Sequence, residues 1–197
     1  MSTSTGVTVD DASVIERSRD EPEYFALLFR RHAPLLQRYV TRRLGPQAAE
    51  DVVNEVFLVA FRQRRSYDLA RTDARPWLYG IATNLVGRHR RGEVRALRAL
   101  SVTGVDPVTE GFADRSDARV VASANSRRLA AALATLKAPF RDALLLVAWA
   151  DLTYEETAAA LGVPVGTVRS RVSRARSTMR AALGGVDPTS IDEEHYR

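Results

Sequence analysis

Between Arg169 and Arg180 the chain carries five arginines and no acid. Val168, Val172, Ala175 and Met179 run through the same stretch at spacings of 4, 3 and 4, which places them on one buried helix face. The other side holds Thr167, Ser170, Ser173, Arg174 and Ser177, flanked by Arg169, Arg171, Arg176 and Arg180. A solvated helix normally mixes charge signs, because opposite charges three or four apart support each other. Arginines without such partners repel one another unless a polyanion neutralises them. The guanidinium fork fits phosphate or guanine edges, and small hydroxyl side chains let a helix backbone approach a groove. The chemistry implied is reversible recognition of nucleic acid, not bond making.

Such a helix needs a support that fixes its angle. Thr153 and Glu156 stand three apart, as a capping box requires, at the start of a short helix. Gly162-Val163-Pro164 then breaks the period, Gly by its left-handed freedom and Pro by its preference for a helix start. Residues 153–182 therefore read as a helix-turn-helix whose second helix is the reader. The bland alternative is a basic solvated helix on an unrelated helical bundle.

The chain has 197 residues and a net charge of +5, and 28 of its 29 basic residues are arginine. Charge is distributed in blocks. Residues 62–98 sum to +7 (10 basic, 3 acidic) and residues 127–183 to +5 (9 basic, 4 acidic), while 99–126 sum to −2 (2 basic, 4 acidic). Two nucleic-acid contacts separated by an acidic spacer explain this most simply. The absence of cysteine excludes disulfides, thiol chemistry and zinc-thiolate sites. His32, His89 and His195 are too scattered for a metal site, so no metal, cofactor or catalytic residue is expected. No apolar run approaches the ~20 residues of a membrane span, and the N-terminus lacks a signal pattern, so a cytoplasmic protein is expected.

The remaining elements follow in order. Residues 1–20 are polar and read as a flexible arm. A helix beginning near Pro22 carries Phe25, Leu28, Phe29, His32, Leu36 and Tyr39 at helical spacing, and Pro34 should kink or split it. A second helix runs from Pro46 to about Arg62. Glu50, Asp51, Asn54 and Glu55 form its acidic face, either complementing the helix dipole or docking a basic partner. Residues 62–75 form a basic loop in which Tyr67 is the candidate for base contact. A third helix runs from Pro76 to Arg91 or beyond. Asn84, Arg88, Arg91 and Arg95 line one face of it, and Trp77 lies at core spacing. A basic face beside an aromatic-bearing basic loop suits single-stranded nucleic acid. Residues 97–117 read as a linker, 118–183 as a second domain, and 184–197 as an acidic tail that could fold back on the reader helix. The fold class is all-α, with two small helical domains.

The segments AEDVVNEVFLVAFR, RPWLYGIATNLVGRHRR and LTYEETAAALGVPVGTVRSRVSRAR, in this order and spacing, resemble the extracytoplasmic-function sigma factors of the sigma-70 family. The resemblance covers about 22–95 and 118–182. It implies a region 2-like domain (21–96) and a region 4-like helix-turn-helix domain joined by a flexible linker. It implies that Glu50, Asp51, Asn54 and Glu55 dock on the β′ clamp helices of core RNA polymerase, which also offers its β subunit. It further implies that Arg64, Tyr67, Arg71 and Arg75, with Asn84, Arg88 and Arg91, hold a −10 promoter element with a flipped base. Thr167, Arg169, Ser170, Arg171, Ser173, Arg174 and Arg176 would read the −35 element, and the linker would thread the polymerase cleft. An anti-sigma factor is a further implied partner. Two departures stand out: Ser173 lies where relatives often carry a bulkier residue, and Gly87 weakens the third helix, by about 1 kcal/mol relative to Ala.

The competing reading is an ordinary helix-turn-helix regulator with an N-terminal dimerisation or effector domain, which predicts a palindromic site. A small nuclease would need carboxylates or histidines clustered at a basic groove, and the sequence has none.

Overall fold

The computed structural model describes residues 9–103 and 117–183, with backbone alone over 117–125. All regular structure among the described residues is helical: α1 (Asp11–Arg17), α2 (Phe25–Leu44), α3 (Pro46–Gln63), α4 (Arg75–Arg88), α5 (Arg90–Thr103), α6 (Asp117–Thr135), α7 (Ala138–Ala148), α8 (Tyr154–Leu161) and α9 (Val165–Ala182). Short 3-10 turns precede α2 and follow α3.

α2 and α3 form an antiparallel hairpin. Gly45, at φ +84°, makes the corner, and Pro46 opens α3 where its missing N–H has no partner to lose. Phe25 meets Phe61 and Phe29 meets Phe57, which fixes the register. Leu28, Leu36, Tyr39 and Val40 from α2, with Val52, Val53, Val56 and Ala60 from α3, are almost wholly buried. Each such Leu or Val side chain contributes roughly 1.5–3 kcal/mol of apolar burial. That burial on both sides of Pro34 accounts for α2 continuing through it as one helix, without the expected split.

The expected flexible arm is in part folded. Asp10 caps α1 by accepting from the Ser13 N–H at 2.8 Å, and Val14 and Ile15 enter the core. The Asp11 carboxylate takes Arg31 at 2.9 Å, His32 Nε2 at 2.7 Å and the Ala74 N–H at 3.1 Å, tying α1 to α2 and the start of α4. The polar sequence concealed this helix because its anchor is an ionic one. Residues 1–8 lie outside the described residues.

The third predicted helix is two. It breaks at His89, whose φ and ψ of −92° and 22° leave the helical region, and α5 sets off from Arg90. α5 then continues to Thr103, so 97–103, expected as linker, is helical, with Leu97 fully buried. Residues 104–116 of the expected linker, and the acidic tail 184–197 with its proposed fold-back, lie outside the described residues.

In the second half, α7, α8 and α9 pack around Leu145, Leu146, Leu152, Val168, Val172 and Met179. The two halves do not stand apart. α8 lies on α4, and α6 lies on α5. A Cβ placed on Gly80 would come within 2.5 Å of the Ala160 carbonyl oxygen, so only glycine admits the close approach of α4 and α8. The two helical modules therefore touch through α4 with α8 and α5 with α6.

Candidate nucleic-acid interface

The helix-turn-helix forms as its residues dictate. Thr153 Oγ1 accepts from the Glu156 N–H at 3.1 Å while Glu156 Oε2 accepts from the Thr153 N–H at 2.7 Å, completing the capping box. Gly162 ends α8 in the left-handed region, at φ +63°. Pro164 precedes α9 instead of lying within it. Val168, Val172, Ala175 and Met179 are buried, as their spacing requires. Arg169, Ser170, Ser173 and Arg174 are exposed, and Thr167, Arg171 and Arg176 are half-buried. Among the described residues no carboxylate pairs with Arg169, Arg171, Arg174 or Arg176. The seven reader residues share one helix and one positive field.

The downstream set divides. Arg71, Asn84, Arg88 and Arg91 are exposed. Tyr67, expected to reach a base, is buried instead. Its ring packs on Trp77 at 4.8 Å, and its hydroxyl donates to the Arg71 carbonyl at 2.7 Å, with the Asp73 carbonyl at 3.2 Å. Burial, reinforced by the Asp11 and Asp73 carboxylates, pushes this phenol up to about 12. It therefore stays neutral and shapes the loop from inside. Its loop position in the sequence gave no hint of this, because the burial depends on α1 and Trp77 arriving from elsewhere. Arg64 is also occupied: it lies over the Phe61 ring at 3.8 Å and donates to the Ser18 and Phe61 carbonyls at 3.0 and 2.7 Å. Arg75 reaches across to the second module and donates to the carbonyls of Ala150 at 2.7 Å and Asp151 at 3.1 Å.

The break at His89 alters the predicted row of Asn84, Arg88, Arg91 and Arg95. The first two belong to α4. The last two fall on α5, where Arg90 and Arg98 join them around Val94 to line a shallow groove of about 510 Å³. Arg90 and Arg98 escape a single period carried through His89, because that residue ends one helix and α5 starts a new phase.

On α3, Glu50, Asp51 and Asn54 are exposed and Glu55 is half-buried. None of them lies in the first turn, which contains no acid. The macrodipole acts mainly within that turn, so dipole complementation accounts poorly for them. Leu58, 47% exposed, continues their ridge, and Phe29, packed on Phe57, is exposed as well. These two apolar residues were hidden in the sequence, since the stripe pattern counted Phe29 as core. Among the described residues, no cluster of three or more His, Cys, Asp or Glu could hold a metal, and no helix is long and apolar enough to cross a membrane.

Comparison with known proteins finds a match to each half of the chain. Residues 28–96 match the family described as Sigma-70 region 2, and residues 126–179 match Sigma-70, region 4. The chain is 36% identical over 187 residues to the ECF RNA polymerase sigma factor SigE of Mycolicibacterium smegmatis, covering 91% of this chain and 68% of that protein. It is 35% identical over 150 residues to the ECF RNA polymerase sigma factor SigC of Mycobacterium tuberculosis, covering 73% of this chain and 75% of the relative. Among solved structures, CnrH in complex with the cytosolic domain of CnrY superposes with a TM-score of 0.61 at 25% identity, over 88% of this chain and 97% of that one. The sigma factor RpoE, in complex with the anti-sigma factor NepR from Bartonella quintana, has the same fold, with a TM-score of 0.56 at 24% identity over 81% of this chain and 96% of that one. A region 2 domain ahead of the helix-turn-helix does not favour the reading of a regulator with a dimerisation or effector domain. The chain belongs to the sigma-70 family, as an RNA polymerase sigma factor of the ECF type.

Proposed function

We propose that this sigma factor divides promoter recognition among three surfaces and carries out no bond chemistry of its own. The ridge of Glu50, Asp51, Asn54 and Glu55, extended by Leu58, docks on the β′ clamp helices of core polymerase, while the second module engages the β subunit. Arg71, on a loop that Tyr67 and Arg64 shape from within, holds the −10 element as it opens, together with Asn84 and Arg88 of α4 and Arg91 of α5. Thr167, Arg169, Ser170, Arg171, Ser173, Arg174 and Arg176 read the −35 element from α9.

The observation that carries this reading is that Arg169, Arg171, Arg174 and Arg176 of α9 pair with no carboxylate among the described residues, on a capped helix-turn-helix. Melting unstacks bases at a few kcal/mol per step, and backbone contacts with captured bases offset it. The protein acts beside the polymerase in the cytoplasm. Because CnrH and RpoE are each found with a partner protein, CnrY and the anti-sigma factor NepR, an anti-sigma factor is the regulator proposed here.

Core binding by the Asp51→Arg, Glu55→Arg variant, measured by fluorescence anisotropy, tests the docking ridge. Charge reversal should weaken core association by about tenfold or more with the helical circular dichroism unchanged. Unaltered binding would show that the ridge is misassigned.

A further inference from the structure

The basic loop between α3 and α4, residues 64–74, is held from outside itself. At its start Arg64 Nε donates to the Ser18 carbonyl at 3.0 Å, and Arg65 Nη2 to the Arg19 carbonyl at 3.4 Å. In its middle the Tyr67 carbonyl accepts from Arg19 Nη2 at 3.2 Å. At its end the Asp11 N–H donates to the Thr72 carbonyl and the Ala74 N–H donates to the Asp11 carboxylate, both at 3.1 Å. Bonds inside the loop, such as that from the Ala70 N–H to the Asp68 carboxylate, shape its tip without fixing where the tip lies. Among the described residues, every hydrogen bond from 64–74 to a distant part of the chain ends on Asp11, Ser18 or Arg19.

That support is itself anchored. Val14 and Ile15 of α1 are almost wholly buried, and Asp11 is tied to Arg31 and His32 of α2. Arg17 lies over the Tyr24 ring at 3.6 Å, joining α1 to the turn that precedes α2. The tip of the loop stays open: Asp68, Ala70, Arg71 and Thr72 are exposed. Arg19, by contrast, is half-buried with its Nε enclosed, which suits a strut better than a phosphate contact. The residues matched to region 2 start at 28, so the loop falls inside the match and its supports at 11–19 lie ahead of it.

We propose that α1 and the turn after it brace the 64–74 loop in the conformation that receives the opened −10 strand, with Asp11 and Arg19 as positioning residues that act on DNA only through the loop. The inference rests on the −10 assignment of Arg71 above. A segment left loose loses backbone freedom when it takes hold of a strand, and that loss opposes binding. Here folding has already imposed the order, so an unstacked base meets a loop that need not rearrange. Asp11 sets the end of the loop beside α4, and Arg19 sets its middle.

Holoenzyme assembled with the full chain tests this. Permanganate reactivity of promoter thymines reads opening, and anisotropy reads affinity for core and for a duplex bearing only the −35 element. Arg19→Ala should slow opening by about tenfold, with both affinities unchanged and the slope of log promoter affinity against log salt unchanged. Arg19→Lys, which keeps a donor for the Tyr67 carbonyl, should restore at least about half of the loss. Asp11→Ala should match Arg19→Ala; should it unfold, Arg19→Ala decides. On top of Arg71→Ala, Arg19→Ala should slow opening by no more than about threefold, because the side chain it positions is gone. Opening at the wild-type rate in Arg19→Ala would overturn the brace, as would an equal loss of core affinity. So would a full tenfold loss repeated on top of a slowed Arg71→Ala, or a salt slope lowered by about 0.7–0.9, the mark of a direct phosphate contact. Wild-type opening by Arg71→Ala beside slowed opening by Arg19→Ala would instead strike the assignment of Arg71 and leave the brace standing.

Discussion

Arg88 donates to Glu55 at 3.2 Å, joining the face proposed for DNA to the face proposed for core polymerase. The pair bridges α4 and α3 and is open to solvent, with the two side chains 71% and 43% exposed. Exposed pairs contribute at most about 1 kcal/mol, so core polymerase can take Glu55 at little cost and release Arg88 toward DNA. Arg88→Ala should lower the slope of log affinity against log salt by about 0.9 if Arg88 meets a duplex phosphate, or about 0.7 if it meets single-stranded DNA. Core affinity should change by no more than about 1 kcal/mol. A salt titration of promoter binding by the holoenzyme measures the first, and anisotropy with core the second.

Arg174 is exposed at the middle of the reader face. Arg174→Ala should cost about 1–3 kcal/mol on the −35 element if it makes a base contact. Substituting base pairs in that element should then show relaxed discrimination at one position, with core binding intact. Competition binding with a panel of −35 variants reads this directly.

Tyr67→Phe removes the hydroxyl that ties the loop to the Arg71 and Asp73 carbonyls and keeps the ring against Trp77. The expected loss is about 1 kcal/mol in thermal or denaturant unfolding. Because the loop loosens, promoter opening should slow while −35 binding stays as it was. Permanganate footprinting of opened thymines checks the difference.

Asp11 supplies a pH dependence. Burial raises its carboxyl, but His32, the Ala74 N–H and Arg31 outweigh that and hold it below its ordinary 3.8. The unfolded chain therefore binds the proton more readily. The stabilisation is complete above about 3.8 and is lost as pH falls through the lower folded value. Asp11→Asn should be less stable at neutral pH by about 1–3 kcal/mol, and its stability should fall less steeply below pH 4. Urea unfolding across pH 3–7 reveals both effects.

Much of this was legible along the chain. Val168, Val172, Ala175 and Met179 sit where a 3.6-residue period puts them, and the Thr153–Glu156 box closes as its spacing requires, because both are local. The acids of α3 stand out on a ridge for the same reason. What failed was long-range. Helix α1 depends on Asp11 finding His32 and Ala74, the burial of Tyr67 depends on Trp77, and the extension of α5 depends on Leu97 and Glu93 being covered by other helices. The contact between the halves, at Gly80 against Ala160 and among Arg43, Glu93 and Arg141, is not legible either, since a glycine in a helix and three scattered charges carry no pattern that a sequence period can reveal.

Transcription reconstituted from purified core polymerase, a promoter bearing both elements and this protein tests the assignment of the three surfaces most directly. Wild-type protein should give initiation from the promoter start site. Asp51→Arg with Glu55→Arg should abolish it by preventing assembly, and Arg174→Ala should reduce it in proportion to lost −35 recognition. Promoter-specific transcripts at wild-type levels from both variants, or none from the wild-type protein with any promoter, would contradict the account.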